Sequence, residues 1–355
     1  MMETPRTAEL LAAYFDLRSD RGPLHARVLC VMGRNLLRGQ PIPACQSVTH
    51  STLRYSIRMD APHLPLIDDP RALPPHDRSP EWAHLCGLTD NWEALPVGDR
   101  LRVARVLHKL GFWATLLKLP ATGDEERDRH HQRALTRLRH IAEAKLQGDD
   151  SGVVPPEMYD DYAATASDED APREERVSAA VNLAVQHGRS DRDPKKVAHW
   201  AGAAQDLLVH APPGSLSLRL ASAAWRAISF MPFYQGDHTA TAAMLDEAER
   251  LAVAAVDRAT DDDRVIAVEN LRVLYGTRGA AAAVAGDSAA VAGDSAAATA
   301  FYRRAVDLDA EDPQTHVTLG DHLVRTGDLE AAHDAFAIAA QLGAPCTRYA
   351  RERTG

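Results

Sequence analysis

Cysteine is scarce in this chain. Its 355 residues hold four, Cys30, Cys45, Cys86 and Cys346, far apart and with no Cys-x-x-Cys pair. That spacing argues against a dense disulfide framework and against paired-thiolate zinc patterns, and a reducing cytoplasm is the expected home. Aromatic residues make up only 5%, which fits helices packed closely through alanine. Of the 40 basic residues just five are lysines (Lys109, Lys118, Lys145, Lys195 and Lys196). The Arg bias and the Ala excess point to a GC-rich genome and a bacterial source. No stretch reaches the roughly 18 apolar residues of a membrane span, and the opening Met-Met-Glu-Thr-Pro-Arg lacks a signal peptide's apolar run. A net charge of −10 and a pI near 5.9 argue against a sequence-independent grip on nucleic acid, which needs clustered Lys and Arg. Neither a nucleic-acid nor a membrane partner is expected. Gly-x-Ser-x-Gly, phosphate-loop and dinucleotide fingerprints are missing too, so no cofactor and no catalytic residue is assigned.

Alanine, arginine and helical periodicity are what the chain does have. Residues 4–38 read as two short helices, around Ala8–Leu17 and Leu24–Leu37, separated by Ser-Asp-Arg-Gly-Pro. Residues 41–80 are dense in proline, and no helix of normal length survives that density. Inside this segment Leu53, Tyr55, Ile57 and Met59 alternate with polar residues, the period of a strand. Two readings of the segment stand, an ordered cap wrapping the helices and a mobile loop. Helical spacing returns from Asp99 to Pro120, and a more polar helix is expected over Asp124–Leu146. Turn-rich residues 148–156 place a domain boundary near Asp150, giving a helical N-terminal region over 1–150 and a helical-repeat domain over 151–355.

Histidine is the natural suspect for a metal site, with 16 present. His130 and His131 are adjacent and would point about 100° apart on a helix, and His316, His322 and His333 miss the i, i+4 spacing of a zincin helix. No metal ligand is assigned. Trp82, His84, Cys86 and Trp92 gather after the proline-rich segment. A Cys-His nucleophile needs both side chains together with a third, orienting group, whereas apolar anchors docking the segment need nothing more than burial. Arg129, Arg133 and Arg137 climb one helix face at i, i+4 spacing; Glu125 and Glu126 stand where they can pair with them, which makes a solvated, self-paired face the simpler reading.

The clearest pattern lies near the C-terminus. His316-x2-Leu319-Gly320-x2-Leu323 is followed by Gly327-Asp328, then Ala332-x3-Phe336, Ala339 and Pro345. This resembles one full tetratricopeptide repeat. One period earlier, Gly286, Gly293, Ala298, Tyr302 and Ala305 take the same places, and a degenerate third unit sets Trp225, Ile228, Ser229, Leu245 and Ala248 in the pattern, with Pro232 and Thr241 as departures. The clearest repeats are thus 279–312 and 313–345, and the resemblance covers 222–345. Ala285–Ala290 and Ala292–Ala297 are the same six residues, seven apart, a duplication expected to lengthen a helix by about two turns.

The fold class this implies is all-α, an antiparallel helix-pair α-solenoid with a helical N-terminal region and a Pro-rich irregular segment. A repeat unit cannot bury its apolar face alone, so neighbours must stack on it. In the resembled family certain first-helix positions line a concave groove. Here they fall on Arg226, Phe230 and Phe233, then Asp287, then Gln314, Val317 and Asp321. The resemblance implies a non-catalytic scaffold that holds a peptide or protein partner. A ligand- or peptide-sensing regulator and an enzyme built on a helical scaffold are the alternatives, and no signal for an oligomeric state is present.

Overall fold

The computed structural model describes residues 24–39, 69–72, 74–78, 80–120, 129–147, 157–188, 193–212, 214, 216–289, 292–342 and 347–354. The expected helix Ala8–Leu17, the alternating segment 53–59, most of the proline-rich stretch and the turn at 148–156 lie outside them. Every regular element among the described residues is helical. The chain divides into two compact units, Met1–Met158 and Tyr159–Gly355.

In the first unit, α1 (Leu24–Leu37), α2 (Pro80–Asp90), α3 (Val97–Lys109), α4 (Trp113–Lys118) and α5 (Arg129–Leu146) pack around Leu85, Leu107, Leu116 and Trp82, each under 2% exposed. Pro96 and Pro120 fall just outside helices, where a missing N–H costs nothing. Short single-turn helices occupy Pro70–Ala72 and Pro75–Asp77, all that this proline density permits. α6 (Glu157–Ser167) crosses the boundary between the units.

The second unit is a run of antiparallel helix pairs stacked in chain order. They are α7 (Arg173–Gln186) with α8 (Pro194–Val209), α9 (Leu218–Ile228) with α11 (His238–Arg258), α12 (Asp261–Ala289) with α13 (Ala292–Leu308), and α14 (Pro313–Thr326) with α15 (Leu329–Leu342). α10 (Phe230–Tyr234) continues α9, and α16 (Thr347–Thr354) packs on α15. Each second helix also packs on the first helix of the next pair, so each apolar face that a pair cannot bury alone is covered by its neighbour.

One spacing recurs in all four second helices. Val197, Ala201 and Ala204, then Thr241, Leu245 and Ala248, then Ala298, Tyr302 and Ala305, then Ala332, Phe336 and Ala339 are buried at i, i+4, i+7, the stripe a helix presents to one neighbour. Opposite it the first helices place a small residue. A Cβ on Gly320 would stand 2.8 Å from Cε1 of Phe336, and one on Gly279 would stand 2.7 Å from Cε1 of Tyr302. Gly279, not Gly286, is therefore the counterpart of Gly320. From Gly320 to Ala332 is 12 residues, as from Ser229 to Thr241, but from Gly279 to Ala298 is 19. The excess of seven is the duplicated stretch. Its length is shared, since α12 runs ten residues past Gly279 where α14 runs six past Gly320, and α13 starts six before Ala298 where α15 starts three before Ala332. Each helix of the pair gains about one turn instead of one helix gaining two. The pair occupies 261–308, so its first helix begins well upstream of residue 279.

The Gly-Asp turns at 236–237 and 327–328 behave as the residues dictate. Gly236 and Gly327 take φ of +74° and +85°, the left-handed conformation that ends a helix without a Cβ clash. Asp237 then accepts from the Ala240 amide at 2.9 Å and Asp328 from the Ala331 amide at 3.3 Å, capping the next helix. Gly293-Asp294 is no such turn, because it lies inside the first turn of α13.

Candidate functional site

Pro232 decides the shape of the aromatic end of the first-helix face. Its ring is incompatible with the Ile228 carbonyl in a continuous helix, and α9 stops at Ile228 before α10 resumes at Phe230. Ser229 spans the break, donating its Oγ to the Arg226 carbonyl at 2.6 Å. The break aims three aromatics into one cluster. Phe230 stacks near-parallel on Tyr234 at 6.2 Å, and Phe233 meets the same ring edge-on at 5.7 Å. Tyr234 stays 43% exposed, and its ring lies over Gly188, where a Cβ would come within 2.6 Å of Cε2. Arg226, Phe230 and Phe233 are each half-buried.

Gln314 and Asp321 are on α14. Gln314 is exposed at its N-terminus, its backbone N–H donating to Asp312 Oδ1 at 3.0 Å. Asp321 is already engaged, accepting the Tyr349 hydroxyl of α16 at 2.7 Å. Tyr349 in turn receives the Arg353 guanidinium at 3.0 Å and packs edge-on against Phe336. The two groups of groove residues thus stand on different first helices, with α12 between them in chain order. With Gly279 matched to Gly320, the α12 positions corresponding to Gln314, Val317 and Asp321 are Val273, Gly276 and Ala280, which replaces the placement at Asp287. Beyond Val273 the middle of this face carries almost no side chain.

Two charged clusters of this unit escaped the sequence reading. Arg272 of α12 donates to Glu269 at 2.8 and 3.0 Å and to Thr315 Oγ1 at 3.1 Å, with Asp312 Oδ2 at 3.2 Å. Glu269 and Asp312 are 1% exposed. Burial works against the guanidinium's charge, but the Glu269 hydrogen bonds and the Asp312 and Asp309 charges outweigh it and hold its pKa above the ordinary value. The cluster ties α12 to the turn that leads into α14. The second surrounds Arg278, which occupies the position held by Leu319 and Ile228 in the other pairs. Asp246 and Glu249 of α11 hold it at 2.6 and 2.8 Å, and it lies 4.5 Å from the Phe301 ring centre. Lone Arg and Glu residues in a helix read as solvated, so no periodicity exposed either cluster.

In the first unit the Trp82–Cys86 group is an anchor. α2 puts Trp82 and Cys86 on one buried face, where Trp82 Nε1 and Cys86 Sγ both donate to the Pro70 carbonyl, at 2.7 and 3.4 Å. His84 faces elsewhere on the same helix and is only half-buried. Burial pushes the Cys86 thiol up, away from the thiolate a nucleophile needs. The Arg129–Arg137 ridge lies on α5, where Arg139 caps α4 by donating to the Leu116 and Leu117 carbonyls; Glu125 and Glu126 are outside the described residues. Both ring nitrogens of His108 are sealed from solvent without a hydrogen-bond partner, and that burial lowers its pKa to about 3. Among the described residues no three His, Cys, Asp or Glu side chains are grouped to hold a metal ion, and no helix is long and apolar enough to cross a membrane.

No family model and no curated protein matches this chain. Among solved structures, the crystal structure of yeast Tom70 is similar, with a TM-score of 0.45 and 11% identity over 99% of this chain and 58% of Tom70's. This chain thus corresponds to little more than half of that protein. At such a score and identity the likeness is too remote to carry a function, and the chemistry has to come from the residues of this chain.

Proposed function

We propose that residues 159–355 form a non-catalytic, tetratricopeptide-like scaffold that holds a peptide or protein partner on the face built by its first helices. The observation that carries this reading is the recurrent fit of a buried aromatic against a glycine, Phe336 on Gly320 and Tyr302 on Gly279. It sets the two helices of each of these pairs crossing in one register, and stacking of such pairs leaves the first-helix side chains on a shared face. On that face Arg226, Phe230 and Phe233 supply the aromatic and guanidinium groups that dominate binding hot spots, and Gln314 offers an exposed amide. Asp321 contributes through its bond to Tyr349. The acidic balance favours a protein over a nucleic acid as partner. We place the protein in a bacterial cytoplasm on its composition.

The test is capture of a partner from native lysate by the full chain and by an Arg226→Glu/Phe230→Ala variant. The partner should be lost from the variant while the circular dichroism spectrum is unchanged. Equal capture by both would remove these residues from the binding face.

A further inference from the structure

Among the described residues of the second unit nine large apolar side chains are exposed, and the three that stand on first helices all lie near the C-terminal ends of those helices. Tyr234 at the end of α10, Val284 in α12 and Val324 in α14 are 43%, 41% and 36% exposed. Counted from Ser229, Gly279 and Gly320, they lie five, five and four residues on, beyond the tight helix crossing and towards the turn that opens each second helix. Half-buried Phe233 stands at the same level, and half-buried Phe230 and exposed Ala280 lie about one turn earlier. Ala283 shares a buried cluster with Val317, Leu319 and Leu323, so the α12 and α14 stretches border one core.

The opposite ends of the first helices carry more exposed acid than base, with Arg258 and Arg264 as exposed exceptions beside α12. Residues 159–355 hold 19 Lys and Arg against 30 Asp and Glu, a net −11. Exposed acids concentrate in the turns that lead into first helices: Glu169 and Asp170 before α7, Asp261 and Asp263 at the start of α12, Asp307 and Glu311 before α14. An antiparallel stack puts these turns along one edge. The face therefore has two lanes, an apolar one towards the C-terminal ends of the first helices and an acidic one along their N-terminal edge.

Building on the scaffold reading, we infer that the partner segment is amphipathic and basic. Its apolar side chains lie on the Tyr234–Val284–Val324 lane, and its Lys or Arg side chains reach the acidic edge. An acidic segment would meet repulsion along that edge, and a purely polar one would leave the apolar lane wet. The small residues Gly276 and Ala280 leave backbone-deep room between the lanes for the body of such a segment.

Fluorescence anisotropy with the full chain tests this, using a labelled peptide of Leu and Lys at amphipathic helical spacing and a second in which every Lys is Glu. The Leu/Lys peptide should bind at least about tenfold more tightly, and that preference should shrink as salt screens the edge. Replacing Tyr234, Val284 and Val324 together by Ser should weaken it by about tenfold or more. Asp261→Asn/Asp263→Asn/Glu311→Gln should weaken it and flatten its salt dependence. Tyr234→Ser gives up the ring's packing on Gly188, Phe230 and Phe233, so a modest fall in melting temperature is expected for the serine variant, and binding is read well below every midpoint, where each variant is folded. Equal binding of the two peptides, or undiminished binding of the Leu/Lys peptide by the serine variant, overturns the inference. A native partner that cross-links to the first-helix face while the Leu/Lys peptide fails to bind would sink this inference alone, whereas cross-links confined to the second helices would sink the scaffold reading beneath it.

Discussion

The Tyr349 hydroxyl of α16 donates to Asp321 of α14 at 2.7 Å, joining the last helix to the first helix of the final pair. Ala350, fully buried beside it, supplies the apolar half of the contact. Tyr349→Phe removes only the hydroxyl, a bond worth about 1 kcal/mol at most on a surface this exposed. The expected outcome is faster amide hydrogen exchange, by about fivefold or less, over residues 347–354 with a nearly constant melting temperature. Unchanged exchange there would mean that apolar packing of Ala350 and the residue 349 ring holds α16 without the hydroxyl.

The glycines separate close approach from open space. Gly320→Leu has to displace Phe336, and overpacking of this kind costs about 1–3 kcal/mol; Gly279→Ala meets Tyr302 in the same way. Gly276, three residues earlier in α12, has nothing within 4 Å of a built Cβ. Gly276→Ala should instead stabilise by about 0.5–1 kcal/mol, through helix propensity. Thermal melts of the three variants check both signs, and a destabilised Gly276→Ala would mean that the assigned register is wrong.

Arg272→Met would strand Glu269 and Asp312 in the interior without their counter-charge. Breaking a buried pair from one side costs about 3–5 kcal/mol, so a large drop in melting temperature is expected. Met keeps most of the side-chain volume, which makes a loss of charge the cause and not a cavity. A variant as stable as the parent would show the cluster to be hydrated in solution.

His108 sets a pH dependence for the first unit. Its pKa is lowered from 6.5 to about 3 on folding, so the unfolded chain binds a proton that the folded chain refuses. The associated stability is fully present above pH 6.5 and is lost as pH falls from there towards 3, with a slope of at most about 1.4 kcal/mol per pH unit. Urea unfolding followed by the fluorescence of Trp82, Trp92 and Trp113 should show this slope. His108→Leu should flatten it; an unaltered slope would assign the acid sensitivity to other groups.

Helical periodicity was legible wherever one face of a helix is buried and the other is wet. Leu24–Leu37 occupies the residues its spacing indicates, and the last two repeat helices end at Gly327 and begin after Asp328 because those two residues cap by themselves. The residues of the aromatic cluster were legible too. Their arrangement was not, since the break at Ser229 and the seating of Tyr234 on Gly188 follow from packing against α7.

By itself the sequence determined the helical class, the buried i, i+4, i+7 stripe and the Gly-Asp turns at 236–237 and 327–328, all of which rest on interactions within a few residues. Only the tertiary structure decided which glycine faces which ring. Gly279 and Gly286 are equally plausible along the chain, and the choice belongs to Tyr302 across the helix pair, 23 residues from Gly279. The same holds for Arg272, beyond its i−3 partner Glu269, and for Arg278. Their carboxylate partners Asp312 and Asp246 are 40 and 32 residues away, and no local pattern records a charge whose compensation arrives from another helix.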